Sequence, residues 1–486
     1  MKKLFVAAVI VFGCISFATI TSLHDDPVVI PPSKQRIGNA DSGYHYIVTG
    51  DYVNSGIPFG LYNLGFKKEK TNILDRQNEN AEVRYDFNVV KAVNGESIVV
   101  PNCFQCHAEF FDGKLVVGLG NSTGDFTKTK NLKTYEKVLM AYLKLSPKKY
   151  EAAKEALTVA RSIGDDFYTE VAGVNPADRL TALLVVHRDP ATFAWNDEPS
   201  VDLPGQVIPS DVPAWWLLKK KNAMFYNGFG RGDFGKFLMG SSLLTINDTM
   251  HAKKVDEHMP DVLAYIFSVQ PPKYPKKIDE PLAEKGRVIF ENTCSECHGT
   301  YGSKEEYPNL LIPESIVGTD SLLNQSNYQY SDMIDWYNRS WFSKGDHPAK
   351  LVPFNGYVAP PLDGVWITAP YFHNGSVPTI EAVLDSKLRP TYWKRDFVQG
   401  TSSGDSSRYD YGKLGWQFQA LPGADNKYIY NTTLPGYGNY GHRFGDQLSE
   451  TERKAVIEYL KTGMETTEVD QSGPPPAAAG GRGKKQ

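Results

Sequence analysis

Cys103-Phe104-Gln105-Cys106-His107 and Cys294-Ser295-Glu296-Cys297-His298 share one spacing, C-x-x-C-H, and use every cysteine of the chain except Cys14. Two thiols on one helical turn can add to the two vinyl groups of a porphyrin. The adjacent imidazole then lies under the ring and reaches its iron. Other readings fit less well. Disulfides do not require a histidine after each pair. A four-cysteine zinc site brings its pairs much closer together than positions 103 and 294. A thioredoxin-type C-x-x-C belongs to a βαβ unit, and no such pattern flanks either pair. The sequence therefore predicts two covalently bound c-type haems. Cys103, Cys106, Cys294 and Cys297 are the attachment points, and His107 and His298 are the iron ligands.

The rest of the chain sets the context. Its 486 residues carry 52 Lys+Arg against 56 Asp+Glu, which gives no electrostatic case for nucleic-acid binding. After residue 20 no apolar run is long enough to span a bilayer, so a multi-pass membrane protein is excluded. Met1-Lys2-Lys3 followed by the apolar stretch Leu4 to Gly13 is the layout of an export signal. Val11-Phe12-Gly13-Cys14 resembles a lipoprotein cleavage box, which would acylate Cys14. The expected location is the periplasm, or a lipid-anchored position facing outside the cytoplasm. Membrane contact would come only through the leader or that anchor. Covalent haem attachment outside the cytoplasm agrees with this.

The predicted organisation is a leader (1–20), a linker (21–35), an N-terminal haem domain (36–270), a Pro/Lys-rich linker (271–281), a C-terminal cytochrome c domain (282–467) and a disordered tail (468–486). Helical stripes run from Leu132 to Leu143 and from Tyr150 to Ile163, with starts at Asn175-Pro176 and Pro260. In the second unit a helix from Pro281 to Asn292 leads into the haem motif. A closing helix begins at Ser449, with Glu452 completing a capping box. β-like runs fall at Tyr44 to Thr49, Val83 to Val90 and Ser97 to Val100. The expected fold is mainly α: two cytochrome c-type haem domains with long irregular loops and a small β-containing N-terminal segment.

Function turns on the face of each haem opposite its proximal histidine. An iron with protein ligands on both faces transfers electrons, and one with an open face can bind O2 or peroxide. For the second haem the candidates are His347, His373, His442 and Met333. His347 sits in an exposed Gly-Asp turn. His373 is as well explained as a hydrogen-bonded loop anchor. His442 lies just before the closing helix. For the first haem His187, His251, His258, Met239, Met250 and Met259 have no distinctive setting, which favours an open site.

Several strings carry a family resemblance: the first motif extended through Ala108-Glu109, Trp215-Trp216 with Lys219-Lys220-Lys221-Asn222, Cys294 to Gly299, Thr368-Ala369-Pro370-Tyr371-Phe372-His373-Asn374-Gly375-Ser376, and Gly441-His442-Arg443-Phe444-Gly445. Over roughly residues 40 to 465 the chain resembles the di-haem c-type cytochromes. These include bacterial cytochrome c peroxidases, MauG-type proteins and, more closely, the haem-dependent rubber (latex) oxygenases. The resemblance implies a reactive N-terminal haem and a six-coordinate C-terminal haem. In the oxygenase branch a distal His matches His442. The peroxidase branch uses a Met, for which Met333 and Met464 are poorly placed. It also implies a tryptophan near or between the haems, at Trp215 or Trp216, against the plainer reading of two core tryptophans. Phe229 and Phe234 are candidates to line the distal pocket.

The reading that follows is an exported haem-dependent oxidoreductase, oxygenase- or peroxidase-like. O2 or peroxide is activated at the His107 haem and electrons pass through the His298 haem. A redox partner protein or small oxidant, and a hydrophobic substrate, are the expected partners. The alternative is a pure electron-transfer cytochrome with two six-coordinate haems.

Overall fold

The computed structural model describes residues 26–65, 71–128, 140, 143–203, 205–329, 331–396 and 408–463. The leader with Cys14, the start of the linker 21–35, the stripe residues Leu132 to Leu139 and Tyr142, Met464 and the tail 468–486 lie outside the described residues.

Two helix pairs frame the molecule, and each crosses at a glycine. Helix α1 (Ala40–Thr49) is capped by Asn39, whose side chain accepts from the Ser42 N–H. It buries Gly43, Tyr44, Ile47 and Val48, a helical spacing, and so replaces the β-like run expected at Tyr44 to Thr49. It packs on α2 (Met259–Ser268). At Gly43 a Cβ would lie 2.0 Å from the Asp261 carbonyl oxygen, so only hydrogen fits there. Helix α3 (Glu280–Thr293) starts from an Asp279 cap with Pro281 in its first turn. It packs on α4 (Glu450–Lys461), which opens with the capping box between Ser449 and Glu452. Here the close point is Gly286, where a Cβ would lie 1.9 Å from the Ala455 carbonyl oxygen.

The fold is not the mainly α pair of haem domains that the sequence suggested. It is 39% helical and 15% strand, and the described strands are scattered over six small sheets. One buried apolar cluster takes in residues from Tyr44 to Leu460, so the two halves do not have separate cores. Strand β1 (Val28–Val29), near the N-terminus, pairs with β4 (Leu310–Pro313), which pairs in turn with β5 (Gly356–Val358). The hairpin β2 (Phe87–Lys91) and β3 (Ser97–Pro101) runs Phe87 against Pro101 and Lys91 against Ser97. The strands were hard to read for two physical reasons. Most are two to five residues long, too short for a period of two to show. In the hairpin Val89 and Val90, and Ile98, Val99 and Val100, are buried consecutively, which erases the alternation. The segment 271–281 is packed in place: Trp366 Nε1 donates to the Pro272 carbonyl at 2.9 Å, and the Tyr274 hydroxyl donates to the Tyr411 carbonyl at 3.0 Å.

These elements set the cysteine pairs. Strand β3 ends two residues before Cys103, and α3 runs directly into Cys294, whose N–H bonds the Phe290 carbonyl at 2.8 Å. Each pair then sits on one turn of helix, Phe104–His107 and Ser295–His298. Among the described residues no helix is long and apolar enough to cross a membrane.

Candidate functional site

At the second motif two histidines face each other. The ring centroids of His298 and His442 are 6.2 Å apart at 64°. Two imidazoles bound to one metal from opposite sides, through bonds of about 2 Å, have ring centres about 6 Å apart, so the pair fits the axial ligands of one iron. His298 Nδ1 donates to the Pro360 carbonyl at 2.8 Å, which leaves Nε2 for a metal. The Tyr301 hydroxyl donates to the His298 carbonyl at 2.9 Å and accepts from the Leu362 N–H at 2.7 Å. Burial lowers the pKa of His298, opposed by the Pro360 carbonyl. Burial, with help from His298 and Arg389, pushes His442 down to about 3. Both rings are therefore neutral at pH 7, the form that ligates.

The loop carrying His442 is fixed by its backbone. His442 has φ 43° and follows Gly441 at φ 75°. A Cβ on Gly441 would lie 2.1 Å from the Gly318 carbonyl oxygen, and the His442 N–H donates to the Val317 carbonyl at 2.7 Å. Arg389 clamps the loop. Nη1 donates to the carbonyls of Asn439 (2.9 Å) and Gly441 (2.6 Å), and Nη2 to that of His442 (3.0 Å). Nothing in the local sequence marks Arg389 for this role. His442 Nδ1 is buried without a partner.

His373 is elsewhere. Its ring stacks on Tyr357 at 4.4 Å, Nε2 lies 3.3 Å from the Tyr357 hydroxyl, and its carbonyl accepts from the Asp211 N–H. That is the loop-anchor arrangement. His347 is exposed, and Met333 is half-buried on the helix Ser331–Arg339.

The first motif is surrounded differently. His107 stacks on Trp215, with centroids 5.0 Å apart at 27°. Burial pushes it down to about 4. The Pro213 carbonyl opposes this, but no hydrogen bond of ordinary geometry reaches Nδ1. The Asn175 amide donates to Cys106 Sγ at 3.3 Å, and the Cys103 N–H donates to the Tyr52 hydroxyl at 3.3 Å. Among the described residues no imidazole faces His107. His187 stacks on Trp195 at 4.9 Å, His258 stacks on Tyr46 at 4.1 Å, and His251 lies against Asn54. Met250 is exposed, whereas Met239 and Met259 belong to the apolar core. Cys103, Cys106, Cys294 and Cys297 are not joined in disulfides. Among the described residues no cluster of three or more His, Cys, Asp or Glu could hold a bare metal ion.

Trp215 lies on His107. Trp216, fully buried, donates Nε1 to the Asp363 carbonyl at 2.8 Å. Asp363 is three residues beyond Pro360, which holds His298. Phe229 and Phe234 are both buried, and the Phe229 ring lies 4.9 Å from that of Phe225, tilted at 47°.

Residues 356–394 match the model of a family described as RoxA-like, cytochrome c-like. A cytochrome c-like domain of that description implies covalently bound haem and suggests a haem cytochrome. The matched stretch holds Pro360, Asp363, the Ala369-to-Gly375 string and Arg389, but neither cysteine pair. Two curated proteins of Sinorhizobium fredii (strain NBRC 101917 / NGR234) are similar. Uncharacterized protein y4iM is 26% identical over 55% of this chain and 68% of its own length. Uncharacterized protein y4iJ is 27% identical over 40% of this chain and 41% of its own.

Proposed function

We propose that the protein is an exported oxidoreductase carrying two c-type haems within one body. One is held by Cys103, Cys106 and His107, the other by Cys294, Cys297, His298 and His442. When bound, the first haem supplies a redox-active iron for O2 or peroxide, and the second supplies a store and relay for electrons. The observation that carries this reading is the asymmetry of the axial faces: His442 opposes His298 at 6.2 Å, and among the described residues no imidazole opposes His107.

The chain's own groups do the rest. Pro360 and Tyr301 orient His298, Arg389 holds the His442 loop, and Trp215 packs the His107 ring in place. From His107 a ring stack reaches Trp215, the next residue Trp216 is hydrogen-bonded to Asp363, and Asp363 lies in the segment that carries Pro360, a candidate route for an electron between the sites. A reduced partner protein is the proposed electron source, and a hydrophobic molecule the proposed substrate.

Intact mass of the mature protein, combined with O2 and peroxide consumption, tests this. The expected result is an added mass of two haems and measurable consumption of one oxidant. Two haems without consumption would leave an electron carrier, and no added haem would remove the proposal.

A further inference from the structure

A partly enclosed cavity of about 140 Å³ lies among the helices Ala177–Val186, Leu322–Gln329 and Ser331–Arg339 and the loop from Phe225 to Phe229. Its wall is mostly apolar, with Phe225, Phe229, Phe237, Leu243, Leu323 and Leu351. None of the cysteines, nor His107, His298 or His442, lines it.

Three polar atoms of lining residues have no partner: Asn227 Oδ1, Asn327 Nδ2 and the Tyr337 hydroxyl. Those residues are only 1%, 4% and 7% exposed. Buried polar groups in folded proteins are normally met, so three unmet ones around a single cavity call for a ligand. Their chemistry selects it. Asn227 Oδ1 needs a donor, and the Asn327 amide and Tyr337 hydroxyl need acceptors. A hydroxyl offers one donor and two lone pairs. A carbonyl or ether oxygen leaves Asn227 unmet, and an ammonium group has no acceptor for Asn327. A carboxylate has no donor and would meet Asp178, which also lines the cavity. The wall has two cations, both engaged: Lys236 is paired with Asp256 at 3.0 Å, and Arg179 Nε donates to the Asp166 carbonyl at 3.2 Å.

We propose that this cavity binds a small aliphatic alcohol, its hydroxyl shared by Asn227, Asn327 and Tyr337 and its chain against the phenylalanine wall. A cavity of about 150 Å³ accommodates benzene, so about six or seven heavy atoms is the right size. Water would satisfy the polar corner but would gain nothing from the phenyl rings, and an alcohol replaces it with profit in apolar contact. The proposal does not rest on the haem assignment.

The test is calorimetric titration of the purified full chain with 1-hexanol and with its isomer 1-methoxypentane, which cannot donate. The alcohol is expected to bind about tenfold tighter than the ether. Tyr337→Phe should lower affinity for both isomers several-fold, because either oxygen can accept from the hydroxyl, and unfold no earlier on heating, because that hydroxyl has no protein partner. Asn227→Leu should remove the preference for the donor. Equal binding of the two isomers overturns the proposal. So does the absence of binding up to the solubility limit, the result expected if water alone fills the cavity. A Tyr337→Phe protein that melts early with its alcohol affinity intact would show a structural hydroxyl and overturn it too.

Discussion

The two C-x-x-C-H turns are nearly identical as sequence and very different as surroundings. The second is preceded by a long capped helix, braced by Pro360 and Tyr301, and faced by His442 across 6.2 Å. The first follows a β-hairpin, and its histidine leans on Trp215 with Nδ1 unbonded. The motif fixes where a porphyrin is attached. What that porphyrin can do is set by what faces it from elsewhere in the chain, as His442 faces His298 from 144 positions on.

The largest effects expected come from breaking one side of that difference. His107→Ala should abolish turnover while both thioethers stay attached, and the spectrum of the second haem should be unchanged. Turnover retained in His107→Ala would place the reactive iron elsewhere. His442→Met should keep two ligands on the second iron and raise its potential, on the order of 100 mV out of the roughly 0.8 V that axial ligands span. Potentiometry that shows no shift would remove His442 from the ligand set.

The glycine crossings sharpen the comparison through stability. Gly286→Ala drives a Cβ into the Ala455 carbonyl, and Gly43→Ala into the Asp261 carbonyl. Both contacts are to backbone, so a helix must move in each case, at about 1–3 kcal/mol. Thermal melts followed at each haem's own absorption should show Gly286→Ala loosening the second site first. Gly43→Ala should act on the first.

A smaller effect distinguishes the first site by pH. Burial pushes the Asp211 carboxyl up to about 7, against the Tyr226 hydroxyl that donates to it at 2.9 Å and the nearby charge of Arg395. The unfolded chain ionises this group near pH 3.9 while the folded chain still holds the proton, so stability is lost as pH rises from about 4 to about 7. Asp211→Asn should therefore gain more in melting temperature over the parent at pH 8 than at pH 4. An equal gain at both would place the carboxyl's ordinary titration in the folded state. Asp211 pairs with the segment beside Cys106 through its neighbour Ser210, which exchanges hydrogen bonds with Asn175.

What could be read from the chain beforehand follows the range of the interaction. The cysteine turns, the helix from Pro281, the Ser449 capping box and the helical stripe from Tyr150 to Ile163 are local and were legible. The sequence also marked His442 and the tryptophan pair, but not what they touch. It could not separate His373 from His442, because a loop histidine looks the same whether it packs on a tyrosine or faces another imidazole. Arg389, Asn175 and Pro360 act through backbone carbonyls, a sulfur and a single carbonyl oxygen, and no residue pattern encodes those contacts. The strand content was underestimated because β1, β4 and β5 are short and meet only in three dimensions.

The central claim is that the two irons differ in their axial faces. Paramagnetic resonance of the oxidised protein, beside the same spectrum of His442→Ala, tests it most directly. The account predicts one low-spin signal from paired imidazoles that disappears in the variant, and a second signal, from the iron at His107, that does not change. Two low-spin signals that both survive the substitution would contradict it.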